Sequence, residues 1–321
     1  MQKETVLEVI TDRIFAKRSN VPFTDTATLG LGVEGGGMRG IVSAGMLLAL
    51  KDLDILDIFD YYVGISAGSL NLAYVLSGQT TIVTEFYFDQ MTDNKNLSIK
   101  PTHRGDRLVM DIRNMHNHAK EFMTLDEASI KTNYPDKFRV TVGNITKNDG
   151  ELISPESAGH RFYEFLWAGA TIPYIGGTPW IINNNQYFDG GLYYPDPSYA
   201  TDELDCTHAL ILNTNSQEHE IKPQNKFNQY LIKHLDDDYN NFGENYLRKV
   251  EEYSNVFSNL PYGETDLNKM RIYRLATEKS TGVSRLTQDK DKLLNGLQSG
   301  YQAVLDLFEP GSDSTILPTK R

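Results

Sequence analysis

The chain has 321 residues, 40% of them hydrophobic and 23% charged, enough for one large globular domain with a sizeable core. A formal charge of −12 excludes a general phosphate-seeking nucleic-acid binder and argues against lasting adhesion to anionic membranes, while leaving transient contact with a lipid surface open. The single cysteine, Cys206, rules out an intrachain disulfide, fits a reducing compartment and reads as a small apolar filler near a strand, so a cytoplasmic location is expected.

In chain order, residues 2–18 fit a short amphipathic helix with Val6, Val9, Ile10 and Ile14 near one face. Glu4, Glu8 and Asp12 interrupt its apolar positions, so no secretory leader is expected. No later stretch approaches the length of a membrane span. Leu29–Val33 reads as a buried strand, Ile41–Leu53 as a helix apolar on most faces, Tyr61–Ile65 as a second strand, and Ala67–Leu76 as a helix stopped by Gly78. Residues 89–120 are polar and irregular, with Lys95, Lys100, His103, Arg104 and Arg107. With Phe86, Tyr87 and Phe88 just before them, they read either as a solvated excursion or as a mobile cap that meets lipid. Strand signals recur at Phe138–Val142, Trp180–Ile182, Ala209–Leu212 and Met270–Leu275, with helical stretches near 156–168, 225–258 and 287–308. This alternation predicts an α/β fold with a mostly parallel central sheet flanked by helices. The segmentation expected is an N-terminal extension at 1–26, a catalytic domain at 27–310 and a C-terminal tail at 311–321.

Three motifs carry chemistry. Gly35-Gly36-Gly37-Met38-Arg39-Gly40 stands between a strand and a buried helix, where unobstructed N–H groups form a nest for an anion or an oxyanion. Ile41 follows its last glycine, so it is not a Walker phosphate loop. Gly64-Ile65-Ser66-Ala67-Gly68 sits between a strand and a helix, the setting of a nucleophile elbow, although a plain turn with a serine N-cap reads equally well. Asp189-Gly190-Gly191 follows Gln186-Tyr187-Phe188. Taken alone it reads as a turn, as does Asp149-Gly150. Gly30-Leu31-Gly32-Val33-Glu34-Gly35 spells a dinucleotide fingerprint, but its first glycines lie inside the strand, which argues against a nucleotide site. His116 and His118 read as a solvated pair, and no metal cluster is apparent.

The three motifs in this order resemble the patatin-like phospholipases. The similarity extends through Val33-Glu34, Ser69-Leu70-Asn71 and Ala170-Thr171-Ile172-Pro173, over roughly residues 27–215. It implies a three-layer α/β fold, Ser66 as nucleophile, Asp189 as the sole catalytic base and an oxyanion hole from Gly35 to Gly40, with Gly64, Gly68, Gly190 and Gly191 shaping the elbow and the acid turn. It also implies acyl-ester hydrolysis on lipids. No carboxylate or histidine cluster stands beside the motifs, so catalysis without a divalent metal is expected, and no cofactor is expected. Tyr194-Pro195 stands where many members have Asn-Pro, which leaves substrate preference open. Two alternatives remain at this point: a conventional hydrolase triad of Ser66, Asp189 and His208, and a catalytically silent lipid-binding protein. A thioesterase or acyltransferase on the same pair of residues is a variant of the first reading.

Overall fold

A computed structural model describes residues 4–90, 92, 96–97, 109–219, 239, 242–257 and 260–312. Its strands are β1 (Leu29–Val33), β2 (Tyr61–Gly64), β3 (Phe138–Asn144), β4 (Asp149–Ile153), β5 (Trp180–Ile182), β6 (Asn185–Asp189), β7 (His208–Leu212), β8 (Gly263–Leu267) and β9 (Met270–Leu275). They form one sheet in the order β5-β6-β3-β2-β1-β7-β9-β8, with β4 also paired to β3. The five central strands, β3 through β9, are parallel, and antiparallel pairs occur only toward the margins. The helices are α1 (Val6–Arg18), α2 (Gly40–Asp52), α3 (Ala67–Leu76), α4 (Thr80–Glu85), α5 (Ile112–Phe122), α6 (Glu127–Asn133), α7 (Pro155–Ala158), α8 (Phe162–Ala168), α9 (Pro197–Glu203), α10 (Phe242–Phe257) and α11 (Lys290–Phe308).

Strand β1 shows why the architecture has three layers. All five of its residues are buried, as expected of a parallel strand covered on both faces. Leu29, Leu31 and Val33 join the main core with α2, α3 and α11. Gly30 and Gly32 face the other way, toward α9. A Cβ on Gly30 would stand 3.0 Å from Cys206 Sγ, and one on Gly32 would stand 2.8 Å from Pro197 and Ile211. The apparent dinucleotide glycines are therefore packing glycines, and Cys206 is a buried filler, as its setting suggested.

Helix α2 is buried along nearly its whole length and crosses α11 at very close range. A Cβ on Gly45 would overlap the Leu297 carbonyl, and one on Gly300 would overlap the Val42 carbonyl. The first helix starts at a Thr5–Glu8 capping box and buries Val6, Val9 and Ile10. The residues read as an extension thus contribute to the main core.

Several elements differ from the sequence expectation. Strands β4, β6 and β8 carry no clean alternation. They form because each hydrogen-bonds antiparallel to an already buried strand. Asp149-Gly150 is not the turn. The turn is 145–148, and Asp149 opens β4 opposite Asn144. Of the helical stretch expected at 225–258, the described part is α10. Lys95, Lys100, His103, Arg104 and Arg107 lie outside the described residues.

Candidate active site

The site forms at the C-terminal ends of β1 and β2, where the chain order reverses across the sheet: β2 lies on one side of β1 and β7 on the other. After β2 the chain turns through Ile65, whose N–H donates to the Val33 carbonyl at 3.0 Å, and α3 begins at Ala67. Ser66 stands at that corner with φ 56° and ψ −129°. An L-residue adopts this backbone only under strain, at a cost on the order of 1–3 kcal/mol. Its hydroxyl makes no capping hydrogen bond to α3, so the reading of Ser66 as an ordinary N-cap fails. The flanking glycines are required by close approach. A Cβ on Gly68 would overlap the Val33 carbonyl, and one on Gly64 would overlap the backbone of Ser69.

Register brings Asp189 to the same level. Gly64 pairs with Val140 and Asp189 pairs with Val142, so Ser66, two residues beyond Gly64, aligns with Asp189 across β3. Between them Thr141, fully buried, donates its hydroxyl hydrogen to the Gly64 carbonyl at 3.0 Å, and Gly190 packs directly on it. Asp189 is 3% exposed. Its Oδ1 accepts from the Gly191 N–H at 2.7 Å, while the buried Oδ2 has no hydrogen-bond partner among the described residues. Burial pushes its pKa up to about 6, and the neighbouring Ser66 hydroxyl and the Gly191 N–H offset part of that rise.

The glycine-rich loop lies against the elbow. A Cβ on Gly35 would stand 2.8 Å from Ser66 Cβ. Gly36 (φ 123°) and Gly37 (φ 59°) hold backbone conformations that side chains disfavour. The N–H of Met38 donates to the Arg285 carbonyl at 3.1 Å, that of Arg39 to the Gly36 carbonyl at 3.2 Å, and that of Gly40 back into the loop. Among the described residues, no acceptor takes the N–H of Gly36 or Gly37. The expected donor set of Gly35 to Gly40 thus narrows, and Met38, Arg39 and Gly40 drop out of it. Arg39 acts as a brace: its Nε donates to Thr214 Oγ1 at 3.0 Å and its Nη2 pairs with Glu34 at 3.3 Å. Glu34 also accepts from the Thr214 N–H at 2.7 Å, locking the loop to the end of β7.

Beside Ser66 opens an apolar pocket walled by Leu70, Phe86, Met110, Met115, Trp167 and Ile172 among others. An adjoining small lobe continues past Tyr74 and Val83. The one polar side chain common to both is Asn71, whose Nδ2 donates to the Gly40 carbonyl at 2.8 Å and whose Oδ1 accepts from Tyr87 at 3.2 Å. Tyr87, read as a lipid contact, is 2% exposed and belongs to the cavity wall, within a π-helical turn at Phe86–Gln90.

The remaining sequence candidates fall elsewhere. His208 is at the entrance of β7, paired with Leu29, and its Nε2 faces the Glu4 carbonyl at 3.1 Å. Ser66 lies beyond the opposite end of the adjoining strands, roughly 15–20 Å along the sheet, so the triad alternative has no geometric basis. His116 is not a solvated residue: it is half-buried against Tyr163, Trp167 and Trp180, and burial lowers its pKa. His118 packs against Phe122, its ring tilted by 33°. Among the described residues no three of His, Cys, Asp or Glu cluster to hold a metal ion, and no helix is long and apolar enough to cross a membrane. Thr141 and Arg285 carry no local sequence signal and are found only through what they touch.

The sequence model of the patatin-like phospholipases matches residues 31–201. Among solved structures, VipD from Legionella pneumophila is similar at 11% identity with a TM-score of 0.43, over 88% of this chain and 66% of that one. Human GIVD cytosolic phospholipase A2, solved with methyl gamma-linolenyl fluorophosphonate and terbium chloride, is similar at 12% identity with a TM-score of 0.39, over 94% and 62%. The chain thus spans just under two thirds of the length of either structure. No curated protein matches it. The family model accounts for more than half of the sequence and covers the glycine-rich loop, the elbow and the acid turn, so the chain belongs to the patatin-like phospholipase family.

Proposed function

We propose that this protein is a lipid acyl hydrolase that works through an acyl-enzyme on Ser66, with Asp189 as its only base. The observation that carries this reading is the pairing of a strained serine at the mouth of an apolar cavity with a buried carboxylate whose second oxygen has no hydrogen-bond partner among the described residues. Ser66 Oγ attacks the ester carbonyl as its proton passes to Asp189 Oδ2. The carbonyl oxygen becomes an oxyanion held by the N–H groups of Gly36 and Gly37. Removing one such donor typically costs about 3–4 kcal/mol in the barrier. Asp189 returns the proton to the leaving alcohol, then takes one from a water that opens the acyl-enzyme. A pKa near 6 suits this work, since the group is ionised at neutral pH yet more basic than an ordinary aspartate.

The cavity walls favour an acyl chain, at about 0.8 kcal/mol for each methylene buried. Among the described residues the polar groups in that lining are the side chains of Asn71 and Ser66, the Tyr87 hydroxyl and the Trp167 indole N–H. The deciding experiment is labelling with a fluorophosphonate probe. Wild type should be labelled on Ser66, and neither Ser66→Ala nor a folded Asp189→Asn should react at a comparable rate. Labelling that persists in Ser66→Ala would refute the assignment. Turnover of a soluble ester is also expected to survive excess chelator.

A further inference from the structure

The run Phe86-Tyr87-Phe88 lies in the π-helical turn, a rare element that recurs at functional sites. Tyr87 alone in that run carries a hydroxyl, and the hydroxyl is buried where the glycine loop ends. A Cβ on Gly40 would overlap Tyr87 Oη and stand 2.9 Å from Ala67 Cβ, so the oxygen fills the corner at which α2 and α3 both begin. Burial pushes the phenol pKa up, and the group keeps its proton at neutral pH. That proton is donated to Asn71 Oδ1 at 3.2 Å. Asn71 Nδ2 donates in turn to the Gly40 carbonyl at 2.8 Å and to Ser43 Oγ at 3.3 Å. Ser43 Oγ lies 2.9 Å from the Glu34 carbonyl and 3.0 Å from that of Gly40. The hydrogen bonds thus reach both ends of the segment that holds Gly36 and Gly37. Asn71 and Ser43 are themselves buried, so each bond is stronger than it would be in water. Tyr87 and Asn71 also wall the pocket beside Ser66. An apolar wall needs no hydroxyl, since a phenylalanine like Phe86 would fill it equally well.

Resting on the hydrolase reading above, we infer that Tyr87 is a positioning residue that couples the acyl pocket to the oxyanion loop. An acyl chain in the pocket bears on the Tyr87 ring, and the hydroxyl passes that contact through Asn71 to Gly40 and Glu34, which bracket the free amides. Oxyanion donors act only when held in place before the reaction, so filling the pocket sets the geometry on which the chemical step depends. The length of the acyl chain thereby acts on kcat and not on binding alone.

The test compares p-nitrophenyl decanoate with p-nitrophenyl acetate, each in the same uncharged detergent micelle, using the full chain. In wild type kcat should be higher for the decanoate. In Tyr87→Phe, which keeps the ring and loses one hydrogen bond, the ratio of the two kcat values should fall about tenfold while KM for the decanoate changes less than about twofold. Equal loss of kcat on both esters shows a plain structural role, and a raised KM with kcat intact shows a mere wall filler; either overturns the assignment. Should Tyr87→Phe melt far below wild type, Ser43→Ala breaks the same chain outside the pocket. It should lower the ratio in its place, and an unchanged ratio there also overturns the assignment. If neither ester is hydrolysed, the hydrolase reading falls by itself, and hydrogen exchange then decides the coupling. Saturating laurate should slow exchange of the amides at 35–40 in wild type and do so far less in Tyr87→Phe. Equal slowing in both, or none in wild type, removes the coupling.

Discussion

Two residues concentrate the energetic cost of the site. Asp189 is held where its charge is poorly solvated, so its folded pKa, about 6, lies above that of an unfolded aspartate. Between those two values the folded chain keeps a proton that the unfolded chain has lost. Stability is therefore full below about pH 4, falls as pH rises toward 6, and stays lowered above it, by up to about 3 kcal/mol. Asp189→Asn should accordingly melt higher than wild type at pH 8, with the difference shrinking at pH 4. The same titration predicts that kcat/KM on a soluble ester rises with pH through about 6 and then levels off. A flat profile between pH 5 and 7 would argue against Asp189 as the base. Ser66 stores backbone strain rather than charge. Ser66→Gly should unfold at a higher temperature than Ser66→Ala, by the equivalent of about 1 kcal/mol, even though glycine is ordinarily the costlier residue.

At the scale of elements, the glycine loop keeps its shape because α2, which follows it, cannot slide. Gly45 and Gly300 let α2 and α11 approach backbone to backbone, and Asn71 ties the first residue of α2 to α3, the helix that follows Ser66. Gly300→Ala should cost about 1–3 kcal/mol through overpacking, measured by urea unfolding. Because any shift of α2 moves Gly36 and Gly37, the variant should also lose kcat with little change in KM. Loss of stability with full kcat would show that the crossing supports the fold alone. Strand β3 is the other positioning element. It separates β2 from β6, and Thr141 on it touches both the elbow and the acid turn.

At the scale of the molecule, the first helix is joined to the sheet by a buried cation. Arg13, 3% exposed, pairs with Asp25 at 2.8 Å and Asp60 at 2.9 Å and also donates to the carbonyls of Ile58 and Ala27. Arg13→Ala would leave Asp25 confined without its partner and should cost about 3–5 kcal/mol in thermal or denaturant unfolding. A variant that unfolds as wild type does would show that the segment before Leu29 is dispensable to the fold.

The sequence by itself determined the local chemistry. Contiguous motifs disclosed Gly35–Gly40, the Ser66 elbow and the Asp189 turn, and apolar runs disclosed β1, α2 and α3, because short-range periodicity and turn chemistry are written in neighbouring residues. Pairing was decided only by the tertiary structure. Strands β4, β6 and β8 draw their stability from partners distant in sequence, and Arg13 reads as a polar residue on an amphipathic helix until Asp25 and Asp60 close around it. Which amides stay free in the glycine loop depends on a carbonyl roughly 250 residues away, that of Arg285. The level match of Ser66 with Asp189, and the distance that removes His208, follow from strand register, a property of hydrogen bonds between segments that no single stretch of sequence contains.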